Sequence, residues 1–228
     1  MSRNRRVRRI HLTAVGSPAT DALRRLGVRT AGALVGLARR AVGGRYRVTA
    51  GGRLIFAKED DDRGGRGDDA LRAREITRIL SDDDVAALVT LRGGGWFARV
   101  LDAIDWDVLR RRRRTIHVFG FSEMTPLIAI AGGYPKAVGI YDLGPAFLYG
   151  GMKRYARLNA TALGAPAKSP ADRREKFAER WAAARYPQAF EGFLSEVADV
   201  LDGQGSPRVP AGRLLAGRLA RRQTIRVT

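Results

Sequence analysis

Two stretches of this chain, Val85 to Leu91 and Thr115 to Phe121, are almost wholly apolar and lack the polar alternation of a half-exposed strand. A strand of that kind has no face to give to water, so it belongs inside a parallel sheet covered on both sides. Parallel strands need long crossovers, and the chain provides them. Shorter strand-like runs occur at Val7 to Val15, Arg45 to Ala50 and Ala137 to Tyr141. Between the strands lie stretches with helical spacing: Ala19 to Leu26, Ala31 to Val42, Ala70 to Leu80, Trp96 to Ile104, a short Trp106 to Leu109, and Glu123 to Ala131. This alternation predicts an α/β fold, a largely parallel sheet flanked by helices, over roughly residues 5–150.

Beyond that region the pattern changes. Met152 to Leu163 reads as a helix and Gly164 to Pro170 as a turn. Asp172 to Arg185 and Pro187 to Leu201 read as two helices divided at the proline. Phe177 and Trp181, then Phe190, Leu194 and Val197, form their packing stripe. Residues 151–210 are therefore expected to form a helical linker region. Residues 211–228 would begin a further domain, with Thr224 to Thr228 as its first strand. Residues 58–69 alternate acids, arginines and glycines. Such a carboxylate cluster could hold a cation, but this mixture reads as a solvated loop.

The absence of cysteine in 228 residues excludes disulfides and thiolate metal sites and fits a reducing compartment. No run of eighteen apolar residues offers a membrane span. The basic N-terminus is followed by a segment too short and polar for a signal peptide. A cytoplasmic protein without a membrane anchor is expected. The net charge of +19 invites a nucleic-acid reading, which stands as the alternative. Only Lys58, Lys136, Lys153, Lys168 and Lys176 are lysines, and the arginines are spread along the chain apart from Arg3 to Arg9 and Arg110 to Arg114. Solvated surface charge with weak, non-specific polyanion binding follows more readily than a dedicated interface.

Ligands of open parallel sheets bind beyond the carboxyl ends of the strands. Two loops fall there, Arg92-Gly93-Gly94-Gly95 and Gly120-Phe121-Ser122-Glu123-Met124-Thr125. The triple glycine lets backbone amides approach a ligand, but it lacks the lysine of a P-loop and the spacing of a dinucleotide fingerprint. Ser122 admits two readings. It can cap the following helix, or it can sit on a strained strand-to-helix turn as a nucleophile, with the Glu123 amide aimed at a developing oxyanion. Spacing alone leaves both open and favours the cap.

Taken together, these pieces resemble the LD-carboxypeptidase family of serine peptidases. Arg92-Gly93-Gly94-Gly95-Trp96-Phe97-Ala98-Arg99 is similar to that family's Arg-Gly-Gly-Tyr-Gly-x-x-Arg, and Gly-Phe-Ser-Glu-Met-Thr at 120–125 to its Gly-x-Ser-Asp-x-Thr. Val15-Gly16-Ser17-Pro18, Ile104-Asp105-Trp106 and Gly144-Pro145 fit in the same order. The resemblance implies that Ser122 is the nucleophile, with the amides of Glu123 and Gly94 as oxyanion hole and Arg92, Gly93, Gly95 and Trp96 around the substrate. It implies no cofactor and no metal. The substrate would be a murein-type peptide, cleaved between an L- and a D-centre to release D-alanine, and a homodimer is compatible with it. A non-catalytic murein-peptide binder would keep the same cleft.

The chain departs from that pattern at Glu123, where the family has aspartate, and at Gly95-Trp96. The family's glutamate and histidine come from a C-terminal domain whose motifs are not found here. His11 and His117 are the only histidines, and both fall on expected strands. The expectation is a truncated peptidase, inactive alone.

Overall fold

The computed structural model describes residues 7–57, 68–95, 97–142, 144–166, 170–203 and 213–216. Five strands run parallel: β1 (Arg9–Thr13), β2 (Arg47–Ala50), β3 (Val85–Thr90), β4 (Ile116–Gly120) and β5 (Ala137–Tyr141). A sixth, β6 (Arg213–Ala216), pairs antiparallel with β5 and completes the order β2-β1-β3-β4-β5-β6. The sheet is therefore largely parallel, as the apolar runs require.

Its helices are α1 (Thr20–Arg24), α2 (Ala31–Ala41), α3 (Gly52–Ile55), α4 (Asp69–Ser81), α5 (Thr125–Gly132), α6 (Pro145–Leu158) and α7 (Ala171–Leu201). Thr30 starts α2 by accepting a hydrogen bond from the Ala33 amide at 3.2 Å. The two-residue period of the strands divides the core between the faces of the sheet. Ile10, Leu12, Ala87, Val89 and Phe119 face one side, with residues of α2 and α7. Leu88, Ile116 and Val118 face the other, with α4 and α5. All six residues of β3 are buried, which explains why its sequence carries no polar alternation.

Three expectations need correction, and one strand was not expected. Trp96 to Ile104 does not make an α-helix: Phe97–Ala103 is a 3-10 turn, and Trp96 lies outside the described residues. The helix expected from Met152 begins at Pro145, because Gly144 ends the β5 loop and proline suits a first helical turn. The two helices expected around Pro187 are one, Ala171–Leu201. Packing on both sides of the proline outweighs its missing amide, since Ala182, Tyr186, Phe190 and Leu194 are all buried. These side chains join the cluster that holds Ile10 and Ala87, so α7 packs on the sheet. Finally, β6 carries no periodic signal in the sequence. The strand expected at Thr224 to Thr228 and most of the acidic loop, residues 58–67, lie outside the described residues.

Candidate active site

Because β1, β3, β4 and β5 are parallel neighbours, the loops that leave them gather at one edge of the sheet. The loop after β4 holds Ser122, which is exposed, with φ +56°. Among the described residues it is the one non-glycine residue with positive φ. Such a backbone costs of order 1–3 kcal/mol and persists only where the surroundings fix it. The surroundings here are specific. The Ser122 amide donates to the Tyr141 hydroxyl at 3.3 Å, and the Met124 amide to the Phe121 carbonyl at 3.0 Å. The Thr125 hydroxyl donates back to the Ser122 carbonyl. Buried Met124 and Phe121 anchor both sides of the turn, the latter edge-on to Phe147 with ring centres 4.4 Å apart.

The helix-cap reading of Ser122 does not hold. Neither the 3-10 turn Ser122–Met124 nor α5 has a side-chain cap bond at its start. A hydroxyl on a left-handed residue points away from the amides that it would have to cap.

The glycine loop lies directly against this turn. A Cβ on Gly93 would stand 3.0 Å from the Ser122 Cβ and 3.4 Å from its Oγ, so only glycine lets the two backbones meet without displacement. Gly94 has φ +132°, and a Cβ there would overlap the Ser17 hydroxyl. The Ser17 amide donates to the Gly93 carbonyl at 2.9 Å. The structure thus brings Gly93, Gly94, Ser122 and Glu123 together. Arg92 turns to the β1 loop instead, its Nη1 donating to the Pro18 carbonyl at 2.9 Å. A Cβ on Gly95 would meet no described residue within 4 Å beyond its chain neighbours. Sequence reasoning did not single out Tyr141, although a tyrosine ending the strand beside the Ser122 strand is the available signal. Ser17 stood in a quoted motif without a role.

Neither histidine reaches this edge. His11 lies within β1, its Nδ1 2.8 Å from the Thr49 hydroxyl and its Nε2 3.3 Å from Glu75 Oε1. Burial pushes the Glu75 carboxyl up, but bonds from His11 and Thr13 outweigh it and hold Glu75 below the usual glutamate range. His117 is the second residue of β4, about 10 Å of extended chain before the strand ends. Burial pushes its pKa down from 6.5 to about 4, against an opposing hydrogen bond with the Ala86 backbone. Its Nδ1 is buried without a partner among the described residues. The folded form thus holds fewer protons than the unfolded chain between about pH 6.5 and about 4. Stability present above that window should be lost as pH falls through it, by up to roughly 3 kcal/mol. Urea unfolding of wild type and His117→Leu across the window tests this, because the variant should lose that part of the pH slope.

Among the described residues no group of three or more His, Cys, Asp or Glu could hold a metal, and no helix is long and apolar enough to cross a membrane.

Comparison with known proteins identifies the family. The family model for the LD-carboxypeptidase N-terminal domain matches residues 10–138. The chain belongs to the LD-carboxypeptidase family. That match spans β2, β3 and β4 and both loops of the candidate site. Solved structures with similarity to this LD-carboxypeptidase domain include a MccF-like protein from Bacillus anthracis str. Ames, at 18% identity and a TM-score of 0.45, with 63% of this chain and 40% of that chain covered. The microcin C7 self-immunity protein MccF, in complex with aspartyl sulfamoyl adenosine, matches at 17% identity and a TM-score of 0.46, over 71% of this chain and 45% of its own. A muramoyltetrapeptide carboxypeptidase from Oxalobacter formigenes matches at 22% identity and a TM-score of 0.38, over 60% of this chain and 40% of its own. The chain spans less than half the length of these structures. None of the curated proteins compared matches it.

Proposed function

We propose that this chain supplies the nucleophile part of a serine-type LD-carboxypeptidase. The enzyme would act on cytoplasmic murein-type peptides and release a terminal D-alanine from an amide bond between an L- and a D-centre. The observation that carries the reading is the positive φ of Ser122 at the carboxyl end of a buried parallel strand. A left-handed serine there presents its hydroxyl to the cleft, where a nucleophile is needed and a structural residue gains nothing.

In this reading Ser122 Oγ attacks the substrate carbonyl, and the developing oxyanion is met by two amides. Those of residues 122 and 124 are committed to Tyr141 and Phe121, which leaves the Glu123 amide for the substrate. The second is that of Gly94. A trans peptide holds its C=O and N–H on opposite sides. Ser17 takes the Gly93 carbonyl, so the Gly94 N–H faces away from the β1 loop. One such donor is worth about 3–4 kcal/mol of transition-state stabilisation.

The serine proton needs a base, and His11 and His117 are both committed within the sheet. The base must therefore come from outside the described residues, and general-base assistance is worth roughly 10²- to 10⁴-fold. Alone, the chain should release no more D-alanine from a murein tetrapeptide than its Ser122→Ala variant. A peptide boronate ending in a D-alanine mimic, which bonds to a serine Oγ, should bind the wild type at least about tenfold more tightly than S122A. Equal boronate affinities would overturn the nucleophile assignment. Ser122-dependent turnover would overturn the missing base.

A further inference from the structure

The glycine loop has a mechanical problem. Residues 93–95 carry no side chains, so nothing of their own fixes them to the core, and glycine has the most conformational freedom to lose. Yet Gly93 stands in contact distance of Ser122, and the Gly94 peptide must keep one orientation. The loop is held from both ends. Before it, the Ser17 amide binds the Gly93 carbonyl. After it, the Ala98 amide donates to Glu123 Oε1 at 3.3 Å. The second contact joins the loop to the serine turn itself, because Glu123 follows Ser122 directly. Ala98 sits in a 3-10 turn whose first residue, Phe97, is fully buried.

Glu123 Oε2 is buried and has no hydrogen-bond partner among the described residues. A carboxylate oxygen buried without a donor works against stability, so thermodynamic economy does not explain the residue. Resting on the acyl-transfer reading above, we propose that the Glu123 side chain is a positioning residue. Its carboxylate fastens the 93–98 segment to the Ser122 turn, so that nucleophile and oxyanion donors keep their separation. Its backbone amide and its side chain then do different jobs: one faces the oxyanion, the other sets where the partner amide stands.

The chain has no cysteine, so Ser122→Cys installs a unique thiol that needs no histidine at mildly alkaline pH. Its thiolate attacks the acetyl carbonyl of p-nitrophenyl acetate. A thioester forms, the aryl ester C–O bond breaks, and p-nitrophenolate leaves and is counted by absorbance. Alkylation by iodoacetamide, which needs no oxyanion donor, corrects for thiolate fraction and access. In the S122C background, Glu123→Ala should lower the corrected acylation rate about tenfold. Glu123→Gln, which keeps the acceptor for Ala98, should recover most of it. Amide exchange over residues 93–98 should rise about tenfold in E123A and much less in E123Q. Rates and exchange unchanged in E123A, or E123Q failing as badly as E123A, would overturn the proposal. If S122C acylates no faster than free cysteine while exchange still responds to E123A, the clamp stands and the acyl-transfer reading falls.

Discussion

Tyr186→Ala is expected to cost about 3–5 kcal/mol of folding stability, the range for removing a large aromatic from a packed core. Tyr186 is fully buried at the middle of α7, edge-on to Tyr149 and Phe190 at ring-centre distances of 5.5 and 6.2 Å. Its hydroxyl also donates to the Pro145 carbonyl at 3.1 Å, so truncation removes a buried hydrogen bond at the start of α6 as well. Against a total of about 5–15 kcal/mol, that loss puts the variant near the edge of folding at body temperature. Urea titration measures it. Tyr186→Phe, which keeps the ring and removes only the hydroxyl, should lose about 1 kcal/mol. A loss below about 1 kcal/mol for the alanine variant would mean that the long helix unfolds separately from the sheet.

Gly94→Ala should disable the site more than it harms the fold. At φ +132° an alanine is strained by about 1–3 kcal/mol, and its methyl group would occupy the space of the Ser17 hydroxyl. The loop can relieve both only by moving off the β1 loop, which carries the Gly94 amide away from its place beside Ser122. A displacement near 1 Å is worth about a hundredfold in a preorganised site. Boronate affinity should therefore fall by about that factor, while the melting temperature drops by only several degrees. Gly95→Ala is the stability comparison: among the described residues, chain neighbours aside, nothing lies within 4 Å of its added methyl group. It should stay within about 0.5 kcal/mol of wild type. If G94A binds boronate as well as the wild type does, the Gly94 amide is not an oxyanion donor.

The sheet could be read from the sequence because its strands are extreme. Six buried residues in a row leave few alternatives to a doubly covered parallel strand. The serine turn was only half legible. The spacing of Gly120 and Ser122 favours a cap over an elbow, and what decides for the elbow is a backbone angle held by Tyr141, nineteen residues away and on another strand. The pairing of Glu123 with Ala98 is likewise a contact between distant segments that no local pattern reports. The long helix was misread because local propensity treats Pro187 as a stop. The burial of Tyr186 and Phe190 just beside it decides otherwise. β6 escaped notice because an edge strand of four residues needs no periodicity to pair with β5.

The two outermost strands of the sheet have a consequence for solubility. Its centre is as apolar as a fibril-forming segment, and an open border on such a sheet is a template for other chains. Among the described residues the borders are β2 and β6, four residues each, and β2 opens with Arg47. A border that short offers an incoming strand few ladder bonds. Its charge works against stacking like copies side by side. The aggregation-prone part of the sequence, β3 with β4, is held in the middle, with two strands outside it on either side. The order in which the strands are laid down thus keeps the most apolar strands away from both borders of the described sheet.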